Sequence, residues 1–341
     1  MKSLLLLSVS LLLNQCSALD HIAYWSKPPP PVWEQVYEDI RDLAADRHRP
    51  GQEIDLRVAP DFPVERLDAV TNLYEEAADF WSGAFDFDMA LPLTVMDSED
   101  RDWWVSTTTR GPRDLFSPHW WEGAVRSGKT VGMVDADEIG MPHVIVASGN
   151  NTDFENFGAF SAALIAHHET VHWYQYQASG WMTDKCSSPN WETVLAWSNW
   201  SMPCPWTTLP CWLSEGHAEL YTLPFGASPE YLRNLRIQQT KRLGEVTEID
   251  LWKRLHLRHH NLETTEYECS RDVMYSLGLL VNEKLFHDFG DEKLNELWLA
   301  LNQSSSSTAP AWDSAFSSTF GMEVEDWYET SAIPYLLEVL D

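Results

Sequence analysis

The sequence predicts an α+β protein in which a small β-sheet region precedes a mainly helical domain. Three short β-rich runs occur early, at residues 91–96, 130–134 and 143–147. Later segments place apolar residues at helical spacing, which is the main sequence signal for a helix. In this sequence the strands come first and the helices follow, without a regular alternation of the two. That order is typical of an α+β fold.

The elements divide the chain after residue 90. Residues 19–90 are predicted to be an N-terminal helical lead, with helices at 32–46 and 64–80. Residues 91–341 form the predicted main domain, with an irregular insertion at 181–210 and a polar linker at 304–307. Its helices are predicted at 160–176, 213–222, 272–288, 292–301 and 324–340.

The first 18 residues have the features of a secretory signal peptide. Lys2 supplies a positive charge, residues 3–13 are apolar, and small residues precede a predicted cleavage site after Ala18. The apolar run is too short to span a bilayer comfortably. The sequence therefore predicts a secreted, extracellular protein, with a membrane anchor as the alternative.

The charge of the chain limits its partners. The formal net charge is −29 at pH 7, so nucleic acid and anionic membranes would both repel the protein. The acidity can favour cationic substrates, or it can serve only to keep an exported protein soluble. We therefore expect no nucleic-acid partner and no membrane partner.

Four cysteines remain after the predicted signal peptide is removed, which in an exported chain indicates two disulfides. Three connectivities are possible. We prefer Cys186 with Cys269 and Cys204 with Cys211, because the short loop closes locally and the long one ties the insertion to a later helix. Three glycosylation sequons, at Asn150-Asn151-Thr152, Asn199-Trp200-Ser201 and Asn302-Gln303-Ser304, predict a glycoprotein if the source is a eukaryote.

A metal-binding pattern lies on the helix predicted at 160–176. His168 and His172 are four residues apart, so a helix brings both imidazoles to one face, where they suit a single zinc ion. Glu169 then lies beside the metal without binding it. There it can take a proton from a water molecule and pass it to a leaving amine.

A third zinc ligand is expected further along the chain, since catalytic zinc usually has three protein ligands and one open position. One extended motif needs glycine and histidine at positions 175 and 178, and Gln175 and Ala178 exclude it. Another uses a glutamate on a following helix. Glu215 fits that position. Glu219, one turn later, can orient a ligand histidine without binding the metal itself.

Residues 168–172 and the segment Trp-Leu-Ser-Glu-Gly-His-Ala-Glu at 212–219 together resemble the gluzincin zinc metallopeptidases, most closely their peptidase-MA-like branch. Weaker similarity extends over roughly residues 91–335. The resemblance implies a metallopeptidase that acts on a peptide or protein, with Glu215 as third ligand and Glu169 as catalytic base. It also implies an oxyanion-stabilising side chain, for which Tyr275 is the first candidate and His217 the second.

Two features depart from that family. The insertion at 181–210 lengthens the usual spacing between the second histidine and the glutamate. The Gly-x-Met-Glu-Asn element of the M1 aminopeptidases is absent from the sequence, so cleavage from the amino terminus of a substrate is not supported.

Two other classes of function remain open. A zinc-bearing binding protein would keep the ligands without catalysis, and a carboxylate-pair glycosidase would need no metal. The 18 tryptophans could form a platform for carbohydrate or peptide, but large aromatic residues mostly fill cores.

Overall fold

The described part of the chain is mainly helical and carries one small sheet. The structure is a computed structural model that describes residues 31–85, 90–97, 100, 103, 131–136, 142–148, 158–179, 209–222, 229–258, 269–303 and 311–340. The strands are β1 (Ile54–Val58), β2 (Leu91–Asp97), β3 (Val131–Ala136) and β4 (Pro142–Ser148). The helices are α1 (Val32–Arg47), α2 (Val64–Ala84), α3 (Gly158–Ser179), α4 (Leu213–Thr222), α5 (Pro229–Leu243), α6 (Glu248–Leu255), α7 (Gly278–Gln303), α8 (Ala311–Phe320), α9 (Val324–Trp327) and α10 (Ile333–Leu340).

Two π-helical turns, Asp272–Leu277 and Tyr328–Ala332, lead into α7 and α10. The chain divides after Gln35, and the features that follow belong to the compact unit Val36–Asp341. Among the described helices, none combines the length and the apolar character that crossing a bilayer requires.

The sheet has the strand order β1-β2-β4-β3. β1, β2 and β4 run parallel, and β3 pairs antiparallel with β4. The predicted strands at 91–96, 130–134 and 143–147 are confirmed as β2, β3 and β4. β1 was not predicted, although Ile54, Leu56 and Val58 alternate with polar residues as in a half-exposed strand.

Most predicted helices are confirmed, and the one at 213–222 has the predicted bounds. The predicted pair at 272–288 and 292–301 is a π-helical turn followed by α7, which is interrupted at Gly290 with a φ of 78°. Three helices, α5, α6 and α8, were not predicted. In α6 the local signal is a capping box in which Thr247 and Asp250 bond each other's backbone N–H.

Helix α3 is the central element, packed against α2, α4, α7 and the β3–β4 pair. From Ala166 to Ser179 it is buried on nearly every side, including at polar positions such as Thr170 and Gln175. Buried polar groups must find hydrogen-bond partners, because an unpaired one is costly away from water. Thr170 accordingly donates to the carbonyl oxygen of Ala166 within α3, and Gln175 bonds to Ser214 of α4.

Helices α4 and α7 approach each other at two glycines. A Cβ atom on Gly216 would lie 2.2 Å from the carbonyl carbon of Gly278, and one on Gly278 would lie 2.7 Å from the carbonyl oxygen of Trp212. Asn282 of α7 adds a hydrogen bond at this contact. Its amide nitrogen donates to the carbonyl oxygens of Trp212 and Gly278 at 3.0 and 2.9 Å. The backbone of α4 is thus held directly against α7.

Tryptophans fill the core around these helices. Trp212 packs edge-on against Trp312, and its indole nitrogen donates to the hydroxyl of Tyr328 at 3.1 Å. The prediction that large aromatic residues fill the core is confirmed for six tryptophans. They are Trp81, Trp173, Trp212, Trp298, Trp312 and Trp327.

The disulfide found among the described residues joins Cys211 to Cys269, with their Cα atoms 5.3 Å apart. The predicted pairing was wrong, because it gave Cys204 to Cys211 and Cys186 to Cys269. Closeness in sequence did not determine the pairing. Cys211 precedes α4 and Cys269 precedes the π-helical turn, and the packing of that turn on α4 brings the two cysteines together. Cys186 and Cys204 lie outside the described residues, as do residues 1–18, most of the insertion and the linker.

Mapping of peptides under non-reducing conditions should recover a Cys211–Cys269 crosslink. With a sequence separation of 58 residues, removing it by Cys211→Ala plus Cys269→Ala should lower the free energy of unfolding by about 4 kcal/mol, because the unfolded chain gains entropy. Denaturant titration of the double variant measures this loss. A crosslink between Cys204 and Cys211 would contradict the structure.

Candidate metal centre

Two imidazoles and one carboxylate converge between α3 and α4. The Nε2 atoms of His168 and His172 are 3.0 Å apart. The Oε2 atom of Glu215 lies 3.1 Å from the first and 3.2 Å from the second. The helical spacing predicted from the sequence and the packing of α4 on α3 together produce this group, which could hold a metal ion.

The size of the triangle fits a small divalent ion. Metal–ligand distances of about 2.0–2.1 Å in a tetrahedral site give ligand atoms about 3.3 Å apart. The three separations are slightly shorter than that, and three protein ligands leave a fourth position open. The side chains of His168 and Glu215 are 14% and 22% exposed, so the group is reached from the surface.

The charges around His168, His172 and Glu215 favour a cation at this position. Burial disfavours a charge on His168, yet the hydrogen bond to Glu215 and the neighbouring carboxylates raise its pKa to about 9. Burial likewise opposes the charge on Glu215, but His172 and His168 hold its pKa well below its usual value. A positive charge at this point, either a proton or a metal ion, is therefore strongly favoured.

Glu169 is buried beside this group, as the sequence predicts. Burial raises its pKa, His168 and His172 lower it, and Glu215 raises it, so the pKa lies above the ordinary value for a glutamate. A raised pKa suits a carboxylate that must accept and release a proton near neutral pH.

Tyr74 of α2 is a neighbour of Glu169 that the sequence analysis did not identify. Burial, and then the charge of Glu169, raise the pKa of Tyr74 well above the ordinary value, so the hydroxyl keeps its proton. Within the described residues this hydroxyl has no hydrogen-bond partner.

Tyr275 stacks over His168. Its ring is roughly parallel to that of His168, with 6.3 Å between the ring centroids. Burial and the carboxylates of Glu215, Glu169 and Glu219 raise its pKa, so the hydroxyl remains a hydrogen-bond donor at any physiological pH. The residue belongs to a π-helical turn, a feature that often occurs at functional sites.

His217 and Glu219 lie close to the group but do not bond the ligand histidines in the described part of the chain. His217 has no exposed surface, packs between Tyr221 and Trp298, and is neutral because burial lowers its pKa to about 3. Burial raises the pKa of Glu219, whose charge acts on His168. The oxyanion role of His217 and the orienting role of Glu219 stay predictions.

Gln175 makes the hydrogen bond that orients His172. Nδ1 of His172 donates to Oε1 of Gln175 at 2.8 Å. In the sequence, Gln175 bears only on the exclusion of one extended zinc motif. The available signal was its position three residues after His172, which places it beside that histidine on the same helix.

No protein-family model, no curated protein and no solved structure matches the chain.

The substitution Gly278→Ala tests whether the close approach of α4 and α7 positions the metal group. The added methyl must displace α4, so we expect a loss of about 1–3 kcal/mol in the free energy of unfolding. Because Glu215 lies on α4, we also expect weaker Zn²⁺ binding, measured by competition with a chromogenic chelator.

Gly244→Ala is the matched control. None of the described residues lies within 4 Å of its Cβ position, but its φ of 67° makes a side chain unfavourable. It should cost about 1–2 kcal/mol of stability from backbone strain alone and leave Zn²⁺ affinity unchanged. Equal affinities for the two variants would mean that the glycine contact does not position Glu215.

Proposed function

We propose that this chain is a zinc-dependent hydrolase of the gluzincin type that cleaves peptide bonds. The convergence of His168, His172 and Glu215, with Glu169 buried beside them, is the observation that carries the proposal. The donor set of two imidazoles and one carboxylate, at separations of 3.0–3.2 Å, is one that zinc favours in hydrolases.

When bound, zinc would polarise a carbonyl group and make a water molecule more acidic. In this proposal Glu169 removes a proton from the attacking water and delivers it to the departing amine. Its burial supports this role, because a carboxylate with a raised pKa both accepts and returns a proton readily.

Tyr275 is the proposed donor to the oxygen on which negative charge develops. Its protonated hydroxyl and its stacking over His168 support this assignment over His217, whose ring is enclosed in the core. A donor that is already oriented before reaction stabilises the developing charge most effectively.

We further propose that the protein is exported and acts on peptides or proteins outside the cell. Residues 1–18 carry the signal that supports export, and the Cys211–Cys269 disulfide fits an oxidising compartment. The substrate class follows from the gluzincin resemblance and from the arrangement of base, ligands and donor.

Digestion of a mixed peptide library, read by mass spectrometry, tests the proposal. Cleavage that stops with a zinc chelator and returns on adding Zn²⁺ supports it. A protein that binds zinc but cleaves nothing in the library would be a binding protein instead. Glycoside cleavage that survives the chelator would identify the carboxylate-pair alternative.

The variant Glu169→Gln separates catalysis from metal binding. The amide keeps the size of the carboxylate but cannot shuttle protons, so turnover should fall by at least about 10²-fold, a typical contribution of a general base. Zinc content and unfolding temperature should stay near those of the wild type. Full activity in this variant would show that the base is assigned wrongly.

A further inference from the structure

The Gln175 side chain is fully engaged in hydrogen bonds that join α3 to α4. Its Oε1 atom accepts from Nδ1 of His172 at 2.8 Å and from the Ser214 hydroxyl at 3.0 Å. Its Nε2 atom donates to the carbonyl oxygen of Ser214 and to Nδ1 of His217, both at 3.0 Å. The side chain has no exposed surface, so water cannot replace these bonds.

These contacts determine which way the amide points. The backbone carbonyl of Ser214 can only accept, so the Gln175 atom that faces it must be the NH₂ group. The other atom, facing His172, is then the carbonyl oxygen, which can only accept. Nδ1 of His172 therefore carries a hydrogen, so Nε2 of the neutral ring presents a lone pair.

That lone pair points to the group formed with His168 and Glu215, since Nε2 of His172 lies 3.2 Å from Oε2 of Glu215. Two lone pairs facing each other at this distance repel unless a cation lies between them. The tautomer imposed by Gln175 is thus the one that a metal ligand needs.

The Gln175 side chain also contacts α4, the helix that carries Glu215. Ser214 immediately precedes Glu215 on α4, and Gln175 bonds both its hydroxyl and its backbone carbonyl. One amide therefore sets the tautomer of a ligand on α3 and the position of the turn that carries a ligand on α4.

We propose that Gln175 is the positioning residue of the metal centre: it preselects the Nε2 lone pair of His172 and fixes Glu215 relative to it. The inference rests on the metal site of the proposed function. It adds a residue that neither binds the metal nor touches the substrate, and that acts through two of the three ligands.

The test compares Gln175→Met with Gln177→Met in the full-length protein, using Zn²⁺ affinity measured by competition with a chromogenic chelator. Methionine has nearly the same volume as glutamine but lacks the hydrogen bonds. Gln177 lies on the same helix, and its amide nitrogen has no partner within the described residues, which makes it the matched control. We expect affinity to fall about 10–100-fold for Gln175→Met and to stay within about threefold for Gln177→Met.

A third variant, Gln175→Glu, separates the two contacts. Its carboxylate still accepts from Nδ1 of His172 but cannot donate to the carbonyl oxygen of Ser214, so Zn²⁺ affinity should fall about 3–10-fold, less than in Gln175→Met. Affinity in Gln175→Met within about threefold of the wild type, or lower in Gln175→Glu than in Gln175→Met, would overturn the inference. If Gln175→Met does not fold, Gln175→Glu decides, and an affinity equal to that of the wild type would overturn the inference. A wild-type protein that binds no zinc would instead remove the proposed function.

Discussion

The convergence of three lone-pair atoms from α3 and α4 is the constraint on which the rest of the structure depends. Two imidazole nitrogens and a carboxylate oxygen lie within 3.2 Å of one another. A single proton can relieve the repulsion along only one side of that triangle, whereas a metal ion relieves all three. Such an arrangement persists only if the surrounding helices hold it, because each of the three side chains would otherwise rotate away from the other two.

Several features of the fold supply that rigidity. The contact between Gly216 and Gly278 holds α4 against α7. The Cys211–Cys269 disulfide joins the segment before α4 to the segment before the π-helical turn that leads into α7. Trp212, next to Cys211, is fixed in the aromatic core by its hydrogen bond to Tyr328. Gln175 then couples α4 to α3. These contacts act on the short helix that carries Glu215, so stability and metal geometry are expected to change together.

The three residues proposed as ligands were selected from the sequence and lie together in the structure, because the signals that mark them are local. His168 and His172 share a helix face, and Glu215 lies in a segment whose helix has the predicted bounds. Tyr74 was missed because it is near Glu169 only through the packing of α2 on α3, and the bonds of Gln175 to Ser214 and His217 likewise depend on the packing of α4 on α3. The disulfide pairing failed for the same reason, since nothing in the spacing of Cys211 and Cys269 reveals that two helix starts meet. Strand β1 and helices α5, α6 and α8 were missed because their patterns are short or polar.

X-ray absorption spectroscopy at the zinc edge, on protein purified without added metal and then loaded with one equivalent of Zn²⁺, tests the central claim most directly. We expect two imidazole nitrogens and light oxygen ligands at about 2.0–2.1 Å, with no sulfur scattering at about 2.3 Å. In the Glu215→Ala variant, the two-imidazole signature should weaken as zinc is lost. Sulfur ligation, or a wild-type spectrum without imidazole scattering, would contradict a metal centre built by His168, His172 and Glu215.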